Sequence, residues 1–294
     1  MLTSKKESVR INKKFIGDDA MLMENLLRFP GFLDKACTLS YDDGVRDDAR
    51  LIEIMRKYGL KGTFNLNSQN LVGSERCHSA EEIKALFGED TEIALHGFHH
   101  HSLAKVSMPL AMREVVMDRE TLEKNFGQII RGMAYANGSY NDEVIELLRG
   151  AGIVYSRTTN ATESFDLPEN WLALHPTCHH NHPRLFELVE EFFTPPTSRS
   201  FWGKKPKLFY LWGHSYEFPQ RNNWEVIEKF GQKMAERDDV WHATNMEIYK
   251  YVEAFNRLVF SSDLTLVENP SAIDVYIVYK NKNILVKAGE TVKM

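Results

Sequence analysis

The sequence of 294 residues predicts an α/β protein in which parallel strands carry helices on their outer side, followed by a small C-terminal β appendage. Three observations predict it. Short apolar segments alternate with longer helical patterns through most of the chain, as in a parallel sheet or barrel. The helical patterns are bounded by caps. From about Leu258 the texture changes to alternating apolar and polar residues around Asn269-Pro270, Lys282-Asn283 and Gly289, which reads as a small antiparallel β unit.

The expected strands are ACTLSY from Ala36, KGTFNLN from Lys61, TEIALHG from Thr91, GMAYAN from Gly132, IVYSRTT from Ile153, KLFYLWGH from Lys207 and DVWHATN from Asp239. After the first of them, RDDARLIEIMRKYG carries Leu51, Ile54 and Met55 at helical spacing and stops at Gly59. YNDEVIELLRGAG has an Asn/Asp start and a Gly stop. In SMPLAMREVVMDRETLEKNFG, Pro109 lies near the start and Gly127 at the end, with Val115, Val116, Leu122 and Phe126 available to cover the sheet. The expected division is an N-terminal extension over 1–34 packing on the barrel, the main α/β unit over 35–257 and the β appendage over 258–294.

Composition narrows the function classes. A chain that is 43% hydrophobic buries a large core, and its length suits either two domains or one α/β barrel. Thirty-six basic against 41 acidic residues give a net charge of −5, without a long Lys/Arg run, so nucleic acid is not an expected partner. Cys37, Cys77 and Cys178 are odd in number and far apart, which fits reduced thiols and neither a disulfide framework nor a CxxC zinc pattern. The N-terminal segment lacks the apolar core of a secretory signal, and no run reaches the roughly 18 apolar residues of a membrane span. A cytoplasmic protein, off the membrane and compatible with homo-oligomerisation, is expected.

Chemistry concentrates where strands run out. Asp42-Asp43-Gly44 follows the first strand; by itself it also reads as an ordinary turn, because Asp tolerates turn conformations and bonds its own backbone. EIALHGFHHHSL runs a strand into His96, His99, His100 and His101. His96 and His100, four apart, face one way in a helical turn, which suits a divalent cation, while a solvated polar loop is the bland alternative. In parallel α/β folds ligand sites gather at the C-terminal strand ends, so the Asp pair and the His cluster are expected to converge there. Two imidazoles and one carboxylate make a three-ligand site with open positions, as a catalytic metal requires.

These residues resemble the polysaccharide deacetylases of carbohydrate esterase family 4, the NodB homology domain, over about Lys35 to Tyr249. Ser40-Tyr41-Asp42-Asp43-Gly44 matches the family's Thr-Phe-Asp-Asp-Gly, and His96-Gly97-Phe98-His99-His100 matches its His-Ser/Thr-x-x-His. The resemblance implies a distorted barrel of seven or eight βα units, Asp42 as general base, and Asp43, His96 and His100 as ligands of one divalent ion. Zinc is the default, with cobalt, nickel or manganese permitted by the ligand types. Tyr41, in the motif's aromatic place, is carried as a substrate-facing candidate.

The later motifs depart from the family. Ala134-Tyr135-Ala136-Asn137-Gly138 aligns with Arg-x-Pro-Tyr/Phe-Gly and keeps only the glycine, so the arginine that orients the base is missing; Arg157 and Arg46 are candidate substitutes. The backbone N–H of Asn137 still suits an oxyanion. Asn170-Trp171 stands where Asp-Trp is usual, leaving Trp171 as an apolar wall and the catalytic imidazole without its carboxylate partner. Leu211-Trp212-Gly213-His214 resembles the Leu-x-His motif and makes His214 the candidate general acid. His179, His180 and Glu217 lie outside these motifs, in HPTCHHNHP and just after His214, and are candidates to line the substrate groove.

By resemblance, then, the expected activity is metal-assisted removal of acetyl groups, N- or O-linked, from an acetylated sugar, oligosaccharide or polysaccharide. Hydrolysis of another C–N bond, in a formamide, cyclic amide or ureide, is the alternative within enzymes. A carbohydrate-binding relative that keeps metal without turnover is the alternative outside them.

Overall fold

The computed structural model describes residues 23, 25–195 and 205–294. Most of the expected N-terminal extension, residues 1–22 and 24, lies outside the described residues. The first described strand is β1 (Leu27–Arg28), and the central one is β2 (Lys35–Asp42), buried at all eight positions as a strand covered on both faces must be. The others of the main sheet are β3 (Gly62–Leu66), β4 (Thr91–Leu95), β5 (Gly132–Ala134), β6 (Tyr155–Arg157), β7 (Cys178–His179), β8 (Lys207–Gly213) and β9 (Val240–His242). Their order is β6-β5-β4-β3-β2-β8-β7, with β9 also paired to β2, and every pairing is parallel. The result is a curled α/β sheet, a distorted barrel.

All seven expected segments are strands of this sheet. The helices join them: Asp48–Lys57 buries Leu51, Ile52, Ile54 and Met55, and Met108–Phe126 runs from Pro109 in its first turn to Gly127 in the left-handed conformation (φ 66°). Asp142–Gly150 starts at Asn141, whose side chain accepts the Val144 N–H at 2.9 Å; such a cap contributes about 1 kcal/mol.

The pleat of the strands decides which side chains face the interior, because successive residues point to opposite faces. Cys37, Leu39 and Tyr41 of β2 and Phe209 and Leu211 of β8 pack outward with Leu51, Val115, Leu188 and Phe230 of the surrounding helices. Ala36 of β2 and Leu208 and Tyr210 of β8 pack inward, against Ile248, Tyr251 and Phe255 of the helix Asn245–Asn256. Above that plug the interior turns polar: Thr38 Oγ1 donates to Asn245 Oδ1 at 3.0 Å, and Asn245 Nδ2 to Tyr210 Oη at 2.7 Å. At the C-terminal edge of the sheet, β2 ends in Asp42 and β6 in Arg157, the polar pair that meets at the barrel mouth.

The C-terminal residues form two three-stranded antiparallel sheets. One joins β10 (Val259–Phe260), β11 (Leu266–Glu268) and β14 (Thr291–Lys293); the other joins β12 (Val275–Tyr279) and β13 (Lys282–Val286) to β1. Val267, Val275, Ile277 and Val286 share the inner cluster, so these sheets close the barrel end opposite the mouth. Among the described residues no helix is long and apolar enough to cross a membrane, and the three cysteines are free and buried.

Candidate active site

At the mouth, Asp42 ends β2 and Asp43 follows it with φ 80°; His96 follows β4, and His100, with φ 62°, closes the turn after it. Left-handed conformations are costly for side-chain-bearing residues and persist where surrounding structure imposes them. Asp118 fixes the strand ends beside them: its buried carboxylate accepts the N–H groups of Ser68, His96 and Gly97 at 2.8, 3.0 and 2.9 Å, pinning the ends of β3 and β4 together.

His96 Nδ1 lies 2.9 Å from the Ala134 carbonyl, which only accepts, so the ring proton sits on Nδ1 and Nε2 carries a lone pair. That Nε2 is 3.8 Å from Asp43 Oδ1, and His100 Nε2 is also 3.8 Å from it. These separations are too long for hydrogen bonds. They are close to the roughly 3.3 Å spacing of donors each about 2 Å from one tetrahedral ion. Burial, then the neighbouring His96, lowers the His100 pKa and favours the neutral ring that a metal ligand needs. The donor set Asp43, His96 and His100 fits a divalent cation with its remaining positions open.

Asp42 is 2% exposed and faces the same point, 3.7 Å from His96 Nε2 and 3.8 Å from His214 Nε2. Its anchor is Arg157, fully buried, which donates to Asp42 Oδ1 at 2.6 Å and also closes on Oδ2. Arg157 is the register partner of Ala134 on the adjacent strand. A guanidinium rising from β6 therefore arrives at the height where the resemblance expects one on β5. Asn65 Nδ2 adds a bond to Asp42 Oδ1 at 2.8 Å, and the Trp212 ring lies under the guanidinium at 4.4 Å. Burial alone would raise the Asp42 carboxyl, but Arg157, His96 and His214 outweigh it and hold the pKa at about 2.

His214 follows β8 and turns Nε2 to Asp42 and Nδ1 to Glu217 Oε1, 3.3 Å away. Burial lowers its pKa, and Glu217, Asp42 and Asp43 together raise it by more. Asn137, with φ 56°, lines the mouth with its Nδ2 on Ser102 Oγ at 3.1 Å. The cavity over these residues measures about 740 Å³. Asp42, Asp43, His96, His100, Asn137 and His214 all line it, joined by residues that sequence reasoning did not single out as cavity walls: Trp212, Tyr135, Tyr216, Thr159, Asn67 and Arg76.

Five expected groove residues stand elsewhere. Tyr41 is 1% exposed and packs outward on Phe64, Phe218 and His180, because the pleat that turns Asp42 inward turns its neighbour out. Trp171 packs edge-on against Tyr249, ring centroids 5.2 Å apart, and belongs to the inner apolar cluster. Asn170 does not approach His214; its side chain caps the short turn at Trp171 by accepting the Leu172 N–H at 3.0 Å. His179, His180 and Glu217 lie behind His214 and do not line the cavity. His99 and His101 turn away from the ligand cluster to the buried Glu114 carboxylate, at 2.6 and 3.1 Å.

Residues 31–156 match the family model described as Polysaccharide deacetylase. Among solved structures, a "putative polysaccharide deacetylase" from Mycobacterium smegmatis is 17% identical, over 79% of this chain and 94% of that one, with a TM-score of 0.57. A family 4 carbohydrate esterase from Streptomyces lividans in complex with acetate is 12% identical, over 72% and 93%, with a TM-score of 0.50. A Streptococcus pyogenes deacetylase in complex with acetate is 23% identical over 42% of this chain, and the match spans about half of that protein, 55%, with a TM-score of 0.40. At these identities the structural likeness is one of fold. No curated protein matches the sequence. The family match thus covers residues 31–156, and the barrel that contains them shares its fold with the solved deacetylases.

Proposed function

We propose that the protein is a metal-dependent hydrolase that removes acetyl groups from an acetylated sugar, oligosaccharide or polysaccharide. The observation that carries the reading is the position of two proton-handling groups, Asp42 and His214, beside one three-donor cluster at the floor of one cavity. A divalent cation held by Asp43, His96 and His100, zinc by default, would supply Lewis-acid polarisation of the acyl carbonyl and of water. Asp42, kept ionised by Arg157, accepts the proton of the attacking water. His214, whose pKa Glu217 and Asp42 raise against the effect of burial, protonates the departing nitrogen or oxygen. Asn137, at the cavity edge, is the candidate backbone donor to the oxyanion. Trp212 and Tyr216 offer ring surface, and Asn67, Asn70 and Thr159 offer amide and hydroxyl groups, the mixture a sugar ring requires.

The reading of a binding relic rests on the missing arginine at 134 and the missing carboxylate at 170. Arg157 and Glu217 occupy positions that answer both losses, which favours turnover. The test is acetate release by the zinc-loaded protein from a panel of N- and O-acetylated oligosaccharides. Turnover of formamides, cyclic amides or ureides instead would support the other C–N bond chemistry, and metal uptake without turnover on any panel would support the relic.

A further inference from the structure

Behind His214 one carboxylate gathers three imidazoles. Glu217 Oε1 lies 3.3 Å from His214 Nδ1, and Oε2 lies 3.2 Å from His179 Nε2 and 2.9 Å from His180 Nε2. Asn181 Nδ2 donates to the same Oε2 at 2.9 Å. We propose that Glu217 is the positioning residue of His214, and that His179, His180 and Asn181 form the brace that fixes its carboxylate.

The protons can be assigned. The backbone N–H of Asn181 donates to His179 Nδ1 at 3.1 Å, so Nδ1 is an acceptor and Nε2 carries the hydrogen that faces Glu217. Asn181 Nδ2 donates to Oε2, and Oε1 is the oxygen that faces the buried His214 Nδ1, which has no other partner among the described residues. A carboxylate at Nδ1 selects the tautomer with its proton there and stabilises the imidazolium, leaving the Nε2 side to serve the cavity.

The surroundings are built for this contact. His180 is 1% exposed and stacks on the Phe218 ring, centroids 4.2 Å apart, directly beside Glu217. A Cβ on Gly213 would fall 2.1 Å from His180 Nδ1, so only glycine next to His214 leaves room for that ring. Glu217 opens the short helix Glu217–Arg221, three residues after His214, which holds its reach short. Burial opposes its ionisation, but His179, His180 and His214 outweigh that and hold its pKa well below the carboxylate range.

The assignment rests on the hydrolase reading above, and the experiment separates the two. Nitrogen-resolved NMR of wild-type imidazoles is expected to show His214 protonated at Nδ1 and titrating above an ordinary imidazole. In Glu217→Gln that titration moves down, kcat falls about 10²-fold with KM little changed, and the alkaline limb of the rate profile moves to lower pH. Glu217→Asp recovers part of the rate. If the wild type releases no acetate, the hydrolase reading fails while the NMR still tests the contact. A wild-type His214 protonated only at Nε2, or Glu217→Gln with kcat within twofold of wild type, overturns the assignment, and the first outcome needs no variant to fold.

Discussion

Arg157 Nη2 donates to Asp42 Oδ1 at 2.6 Å, joining the end of β6 to the end of β2 across the barrel interior. Register explains the contact. Ala134 and Arg157 are paired residues on neighbouring strands, so moving the arginine from one to the other keeps its height and its face. Both partners are buried, and breaking such a pair by removing one member costs roughly 3–5 kcal/mol.

Arg157→Lys keeps a charge but replaces a planar donor spanning both carboxylate oxygens with a point charge. A fall in kcat of about 10²-fold is expected, with metal content unchanged. Acetate release against metal analysis checks it. A rate near wild type would mean that Asp42 needs no anchor.

Asp42→Asn is expected to keep the cation and lose nearly all turnover, about 10²–10⁴-fold. Asn65 and Arg157 remain to hold the amide oxygen. Calorimetric metal titration with steady-state rates decides it; retained rate places the base elsewhere.

Chelation should abolish acetate release and zinc should restore it. Asp43→Ala or His96→Ala should weaken zinc binding by at least about tenfold, since each removes one of three protein donors. Equal zinc affinity in wild type and His96→Ala would dismantle the proposed donor set.

Gly213→Ala places a methyl group against His180, and overpacking of this kind costs about 1–3 kcal/mol. The thermal midpoint should drop and the rate should fall with it. Trp171→Ala, by contrast, removes packing on Tyr249 and should lower the midpoint while leaving KM unchanged, whereas Trp212→Ala, at the cavity wall, should raise KM.

His214 gives the sign of one pH effect. Its folded pKa is raised, so its contribution to stability is complete below about pH 6.5, its unfolded value, and disappears as pH rises through the folded value. The difference in thermal midpoint between wild type and His214→Gln should therefore shrink from about pH 6 to about pH 9. A difference constant across that range would remove the charge from the account.

Much of this was legible in the chain. Seven strand segments could be read from apolar runs, and Asp42, Asp43, His96 and His100 could be read because close neighbours in sequence share one strand end or one turn. β7 escaped notice because two paired residues inside HPTCHHNHP carry no period. Trp171 misled because a motif position says nothing about which side of the barrel a later loop folds onto, and Tyr41 because the pleat sends it opposite to Asp42.

The sequence by itself determined the strand-and-helix alternation and the local chemistry of each strand end, since both depend on residues within a few positions of one another. Tertiary structure decided which distant groups complete that chemistry. Parallel register set Arg157 at the height of Ala134, and the end of β7 brought His179 and His180 to Glu217 behind His214. Those contacts depend on strand order and pleat, which no local pattern in the chain encodes.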